Sequence, residues 1–286
     1  TLSVESDLGS IAEYIPALSV VDANQFGICL TTTEGQVHGA GDFDTRFSIQ
    51  SISKVMALTV AFREMGDELW QRVGVEPSGT AFNSLVQLEY ERGIPRNPFL
   101  NAGALVVCDV LLSLYSDPER QIINFVRALS ENECLDYNET AARSELKTAY
   151  RNYALIYLMK EFGNIHNDIN RVLALYCRLC SIELSCQELS RLFLYLAADG
   201  YAANSGVQII DTSKTKRINA LMQLCGFYDE AGDYSFRVGL PGKSGVGGGV
   251  IGINPGLYCV TAWSPKLNEK GNSYKGMKVL EYLTTQ

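Results

Sequence analysis

In "RFSIQSISKVMAL", residues 46–58, the hydroxyl of Ser51 stands three positions before the amine of Lys54. On a helix that spacing puts two side chains on one face, with roughly 5–6 Å between their Cβ atoms. A serine hydroxyl is a poor nucleophile until a neighbouring base takes its proton. Lysine can be that base only when neutral, and burial among the Val, Met and Leu side chains that follow disfavours its charged form. The pair therefore suits attack on an acyl carbon. A Ser and a Lys three apart also arise without any such purpose.

A second stretch, "GLPGKSGVGGGV", lies some 190 residues downstream and sets Lys243, Ser244 and Gly245 on a strand edge. Glycines suit a strand that must offer a backbone N–H to an oxyanion, because bulky side chains would block the approach. The plain alternative is a glycine-rich turn. Two other motifs fail here. A phosphate-binding loop ending at Gly242-Lys243-Ser244 needs a glycine where Arg237 stands. Gly247, Gly249 and Gly252 have dinucleotide-fingerprint spacing, but the strand-like "INPGLYCV" follows instead of a helix.

The elements around these motifs read as an α+β fold. "QFGICLTTT" and "QVHGAG" flank a Glu34-Gly35 turn and, with "TRFSIQ", predict two or three strands. "ISKVMALTVAFREM" is apolar nearly all round, as in a helix buried at the centre of a domain. "RNPFLNAGALVVCDVLLSLY", "RQIINFVRALS", "LKTAYRNYALIYLMKEFG" and "INRVLALYCRLC" predict further helices. Ser185 and Glu188 form a capping box ahead of "LSRLFLYLAADG", which should stop at Gly200. Strands are expected again at "YSFRVGL", "GGVIGIN" and "LYCVTAW", with a last helix over "YKGMKVLEYLTT". Strands from both termini around a helical middle predict a discontinuous sheet domain, 1–80 with 190–286, and a helical lobe over 81–189. A cleft between such lobes is a usual small-molecule site.

Composition narrows the function classes. The 286 residues carry 24 basic and 32 acidic side chains, a net charge of −8, and no basic cluster, which argues against nucleic acid or an anionic membrane as partner. No stretch approaches the ~20 apolar residues of a membrane span. The opening "TLSVESDLGSIAEY" does not read as a signal peptide. The 8 cysteines are scattered through apolar runs, which suits a reduced cytoplasmic core better than a disulfide framework. Cys177 and Cys180 form a C-x-x-C inside a helix with no second pair, and His38 and His166 fall in no metal motif, so neither a metal nor an organic cofactor is expected.

Taken in order, "QSISKV", "NPFLNAGAL", "YCRLCSIELS" and "FRVGLPGKSGVGGGV" make the chain resemble the serine-dependent glutaminases, bacterial L-glutamine amidohydrolases of the β-lactamase/transpeptidase fold. S-x-x-K with a Lys-Thr-Gly triad marks the serine β-lactamases and penicillin-binding proteins, and Lys243-Ser244-Gly245 is a near match to that triad. The likeness runs from about Tyr14 to the last helix and is loose only around 115–140. It implies a mainly antiparallel sheet flanked by helices, and Ser51 as nucleophile with Lys54 as its base. Tyr228 would be a second proton-transfer group, and the N–H groups of Ser51 and Val246 the oxyanion hole. Tyr14, Asn101, Glu145, Asn152 and Tyr176 would hold L-glutamine, which Ser51, Tyr228 and Val246 would also contact, with Lys243 keeping the field beside the nucleophile positive. A homodimer or homotetramer is implied as well.

Each residue has a plainer reading when taken singly. Glu145 would be a solvated helix residue, the tyrosines amphipathic core-edge residues, and Asn101 an N-cap. Together they make chemical sense, since free glutamine is a zwitterion that needs an acceptor for its ammonium and donors for its carboxylate. The rival readings are a β-lactam-recognising hydrolase or transpeptidase, which has no use for a carboxylate such as Glu145, and a catalytically silent binding module.

Overall fold

The computed structural model describes residues 8–12, 18–78 and 84–285. Strands β1 (Gly27–Thr32), β2 (Val37–Gly41) and β3 (Phe47–Ser48) lead into a tight turn of helix, Gln50–Ile52, that runs on into α1 (Ser53–Met65). The helical middle holds α2 (Leu85–Tyr90), α3 (Asn101–Leu114), α4 (Pro118–Ser130), α5 (Glu139–Lys147), α6 (Tyr150–Glu161) and α7 (Ile169–Cys180). Next come β4 (Glu183–Leu184), α8 (Cys186–Leu192), α9 (Thr212–Cys225) and α10 (Ala231–Arg237). The chain closes with β5 (Gly242–Ser244), β6 (Gly249–Asn254), β7 (Tyr258–Trp263) and α11 (Tyr274–Thr285).

One antiparallel sheet, ordered β2-β1-β7-β6-β5, joins the two ends of the chain, with Ile28 opposite Ala262 and Ala262 opposite Val250. The period-2 alternation of its strands explains how both faces are covered. Cys29, Ile251, Ile253, Cys259 and Trp263 point into the large core shared with α1, α3 and α7. Ile28, Leu30, Val250 and Val260 point the other way and pack with Phe227, Tyr234 and Leu280. The sheet is thus sandwiched between helices, and β5 at its edge lies against the turn that carries Ser51.

Residues Ser53 to Phe62 of α1 are all buried, as its all-round apolar pattern predicts. β3 anchors the segment before Ser51. Phe47 pairs with Leu184 and its ring stacks on Trp263 at 4.9 Å, while Ser48 Oγ donates to Cys180 O at 3.0 Å. The Ser185/Glu188 capping box forms in both directions.

Four local expectations are corrected. The helix that the Ser185/Glu188 capping box opens ends at Leu192 and does not run on to Gly200. "YSFRVGL" is not a strand, because Tyr234, Ser235, Phe236 and Arg237 belong to α10, where Tyr234 is stacked on Phe227 at 3.5 Å; the strand starts at Gly242. The helix expected from Leu146 is broken at Thr148–Ala149, which close α5 and open α6. Asn101 is the first residue of α3 and does not cap it, nor does any other side chain; Asn97 Oδ1 accepts from the N–H groups of Phe99 and Leu100 in the loop before it. Cys177 and Cys180 lie in the last turn of α7, and all 8 cysteines are free.

Candidate active site

Ser51 and Lys54 sit on consecutive turns of one helical run, since Ile52 and Ser53 both have right-handed helical backbone. The three-residue spacing therefore puts their side chains on a common face. Gln50, just before Ser51, is held at φ +49°. This left-handed backbone is costly for a residue with a side chain and persists only where the surroundings fix it. They do so here. Gln50 is buried, and its Nε2 donates to Ser48 Oγ at 3.1 Å and to Glu145 Oε2 at 3.5 Å.

The Gly-rich edge reaches this turn because it lacks side chains. A β-carbon on Gly245 would lie 2.5 Å from Ile49 O, and one on Gly247 would collide with Ser48 O. Val246, between them, is half-buried against Ala12, Leu18 and Leu267. Among the described residues, neither the N–H of Ser51 nor that of Val246 donates to a carbonyl in a turn or loop.

Lys54 is 3% exposed, and burial lowers its amine to about 8 although Glu145 and nearby thiols pull the other way. Its Nζ donates to Phe99 O at 3.0 Å and to Asn101 Oδ1 at 2.8 Å. Asn101 ties in two more of the expected residues. Its Oδ1 also accepts from Tyr176 Oη at 3.4 Å, and its Nδ2 donates to Asn152 Oδ1 at 3.1 Å. Burial drives Tyr176 well above the ordinary phenol range, so it stays a neutral donor. Glu145, on α5, is pushed up to about 7 by burial, against the hydrogen bond from Gln50 and the charge of Lys54.

Lys243 is wholly buried on β5. Its Nζ donates to Gly226 O at 3.0 Å and Ser244 O at 2.6 Å and lies 4.6 Å from the centre of the Tyr228 ring. Burial, and then the charge of Lys54, lower it well below the ordinary amine value. That direction runs against the positive field expected of it. Tyr228 has φ +52° at the start of the turn into α10.

Lys54, Asn101, Asn152 and Tyr176 thus form one hydrogen-bonded constellation, with Ser51 a turn before Lys54, Glu145 bonded to the neighbouring Gln50, and Tyr228 beside Lys243 on the β5 side. Tyr14 lies outside the described residues. The Phe99 carbonyl and the Gln50 side chain belong to the site and were not foreseen, for carbonyls leave no trace in residue type. Among the described residues no group of three or more His, Cys, Asp or Glu is placed to hold a metal ion, and no helix is long and apolar enough to cross a membrane.

A Ser/Lys turn opening a buried helix, set against the edge strand of a five-stranded antiparallel sheet, defines the β-lactamase-like class of folds. Comparison with known proteins narrows the class. The glutaminase family profile matches residues 9–286. A glutaminase of Saccharophagus degradans is 57% identical over 285 residues, taking in 100% of this chain and 93% of its own length. One of Ralstonia nicotianae is 52% identical over 277 residues, covering 97% and 91%. The crystal structure of a probable glutaminase of Bacillus subtilis superposes with a TM-score of 0.87 at 33% identity, covering 91% of this chain and 88% of that one. The chain belongs to the glutaminase family.

Proposed function

We propose that this enzyme hydrolyses the side-chain amide of L-glutamine to L-glutamate and ammonia through an acyl ester on Ser51. The observation that carries the mechanism is the hydrogen bonding of Lys54. A neutral amine has two N–H bonds and one lone pair. Phe99 O and Asn101 Oδ1 take the two N–H bonds, which leaves the lone pair free to receive a proton. The Ser51 hydroxyl shares its helix face.

In this reading Ser51 Oγ bonds to the amide carbon while its proton passes to Lys54. The tetrahedral oxygen rests on the N–H groups of Ser51 and Val246, and losing one such donor costs about 10²–10³ in turnover. Collapse breaks the C–N bond, and the nitrogen leaves as ammonia after Lys54 or Tyr228 returns the proton. Water, deprotonated by the same groups, then cleaves the ester to release glutamate and restore Ser51. Glu145 receives the substrate ammonium, while Asn101, Asn152 and Tyr176 surround the rest of the amino acid; the family resemblance adds Tyr14 to the residues that bind it. Lys243 braces the strand beside Tyr228.

The sheet lobe, 1–80 with 190–286, and the helical lobe, 81–189, would meet at this site, since Ser51, Lys54 and Lys243 come from one and Asn101 and Glu145 from the other. Free, mostly buried thiols support a reducing, cytoplasmic setting, and the family resemblance supports a homodimer or homotetramer. Asparagine differs from glutamine by one methylene, which a pocket separates by only about 1–3 kcal/mol. Ammonia release from both amino acids, by the wild type and by Ser51→Ala, is the test. Ser51→Ala should lose activity and the acyl adduct that mass spectrometry detects on quenched enzyme; full activity in that variant would overturn the assignment.

A further inference from the structure

Outside the constellation, a wholly buried asparagine bridges two parts of the site. Asn272 follows the Gly271 turn that leads towards α11. Its Oδ1 accepts from Ser244 Oγ at 2.5 Å, and its Nδ2 donates to Glu230 Oε2 at 2.6 Å and, at longer range, to Phe227 O at 3.4 Å. Glu230 Oε2 also accepts from Asn268 Nδ2 at 2.8 Å, and Asn268 Oδ1 accepts from the Asn272 N–H at 3.0 Å. The amide of one side chain therefore ties β5, at the residue after Lys243, to both flanks of Tyr228.

That placement has a physical use. Tyr228 holds a left-handed backbone, which survives only where the neighbours over-determine it. Phe227 and Glu230, one residue before it and two after, are the groups that Asn272 grips. On the β5 side, Ser244 N–H donates to Gly226 O at 3.2 Å, and Lys243 Nζ donates to the same oxygen. A β-carbon built on Gly271 would stand 3.8 Å from the Tyr228 ring and 3.9 Å from Val246 Cγ1, so the turn lies at contact distance from both.

We propose that Asn272 and Glu230 form a cross-brace that positions Tyr228 against the Lys243–Val246 edge for proton transfer, without touching substrate. The inference rests on the proton-transfer role given to Tyr228 above. Glutamine is held mainly from the helical side, by Glu145, Asn101, Asn152 and Tyr176. Loosening the brace therefore lowers kcat and leaves KM nearly alone. Misplacing a reacting group by about 1 Å costs about 10²-fold, so Asn272→Ala is expected to lower kcat about ten- to a hundredfold with KM within about threefold.

The test is a double-mutant cycle on ammonia release, with rates normalised to the fraction of Ser51 labelled by a diazoketone analogue of glutamine. In a Tyr228→Phe background Asn272→Ala should cost almost nothing further, because the group it positions is gone. Losses that multiply in full would overturn the brace. A Tyr228→Phe enzyme with wild-type kcat would instead overturn the role of Tyr228 and leave the glutaminase reaction standing. Glu230 is only half-buried and provides a second arm should Asn272→Ala fail to fold. Glu230→Ala should reproduce the kcat loss, and Glu230→Gln, which keeps an acceptor oxygen, should restore most of it. A normal kcat in Glu230→Ala would also count against the proposal.

Discussion

Replacing Asn101 with Asp changes one atom of the side chain and puts a carboxylate oxygen where Oδ1 now lies, 2.8 Å from Lys54 Nζ. Burial holds that amine at about 8. The proposed base works only when neutral, so activity should rise as pH climbs through about 8. An anion beside the amine favours its charged form. With an effective dielectric of about 20, two charges about 3 Å apart attract by about 5 kcal/mol, and the desolvation of the new carboxylate cancels part of this. Opposite charges at such range shift a pKa by about 1–3 units, which would put Lys54 between about 9 and 11. At pH 8 the neutral fraction would fall from about one half to between about one in ten and one in a thousand, so kcat should drop about five- to five-hundredfold. The loss should shrink as pH rises, because the whole acid limb of the profile moves to higher pH. Ammonia release at saturating glutamine between pH 6 and 11 measures it. Asn101→Ala, which adds no charge, serves as the control and should not show the alkaline move. A kcat lowered by the same factor at every pH, with its acid limb unmoved, would refute the claim that the protonation of Lys54 governs turnover.

Glu145→Gln removes the negative charge assigned to meet the substrate ammonium and should raise KM about ten- to a hundredfold while kcat stays within a few-fold; an unchanged KM would sink that role. The same substitution tests the burial of the carboxyl. A group raised from 4.5 to about 7 lowers the stability of the folded state as pH rises across that window. Glu145→Gln should therefore gain about 1–3 kcal/mol at pH 8 and little at pH 4, read as a higher Tm at the upper pH alone. Gly103→Ala puts a β-carbon into Asn97 O and 2.8 Å from Pro98 Cα, in the loop whose Phe99 carbonyl holds Lys54. It should cost about 1–3 kcal/mol and lower kcat, and an unmoved denaturation midpoint would contradict the close approach.

Much of the architecture was legible because it follows from local periodicity. Short runs between Gly/Pro turns, "GGVIGIN" and "LYCVTAW", yield β6 and β7, "YKGMKVLEYLTT" coincides with α11, and "SCQE" caps α8. The failures lie where tertiary packing overrides local preference. Tyr234 and Phe236 favour a strand by residue type, but the stacking of Tyr234 on Phe227 keeps that segment helical beneath the sheet. Asn101 has the look of a cap but is the first residue of a helix that no side chain caps, and its oxygen accepts from Lys54.

The chain alone determined that Ser51 and Lys54 share a helix face, since three residues along a helix is a fixed geometric relation. It also supplied a strand edge bare enough of side chains to lie beside them. Only the folded protein decided the proton affinities. The amine at 54 falls to about 8, and the carboxyl at 145 rises to about 7, because distant segments exclude water from both. Nor could spacing reveal that Phe99 and Asn101 claim the two N–H bonds of Lys54, or that Asn272 grips the turn of Tyr228. Those contacts join residues 28 to 47 positions apart, and a sequence pattern does not carry the path by which the chain returns on itself.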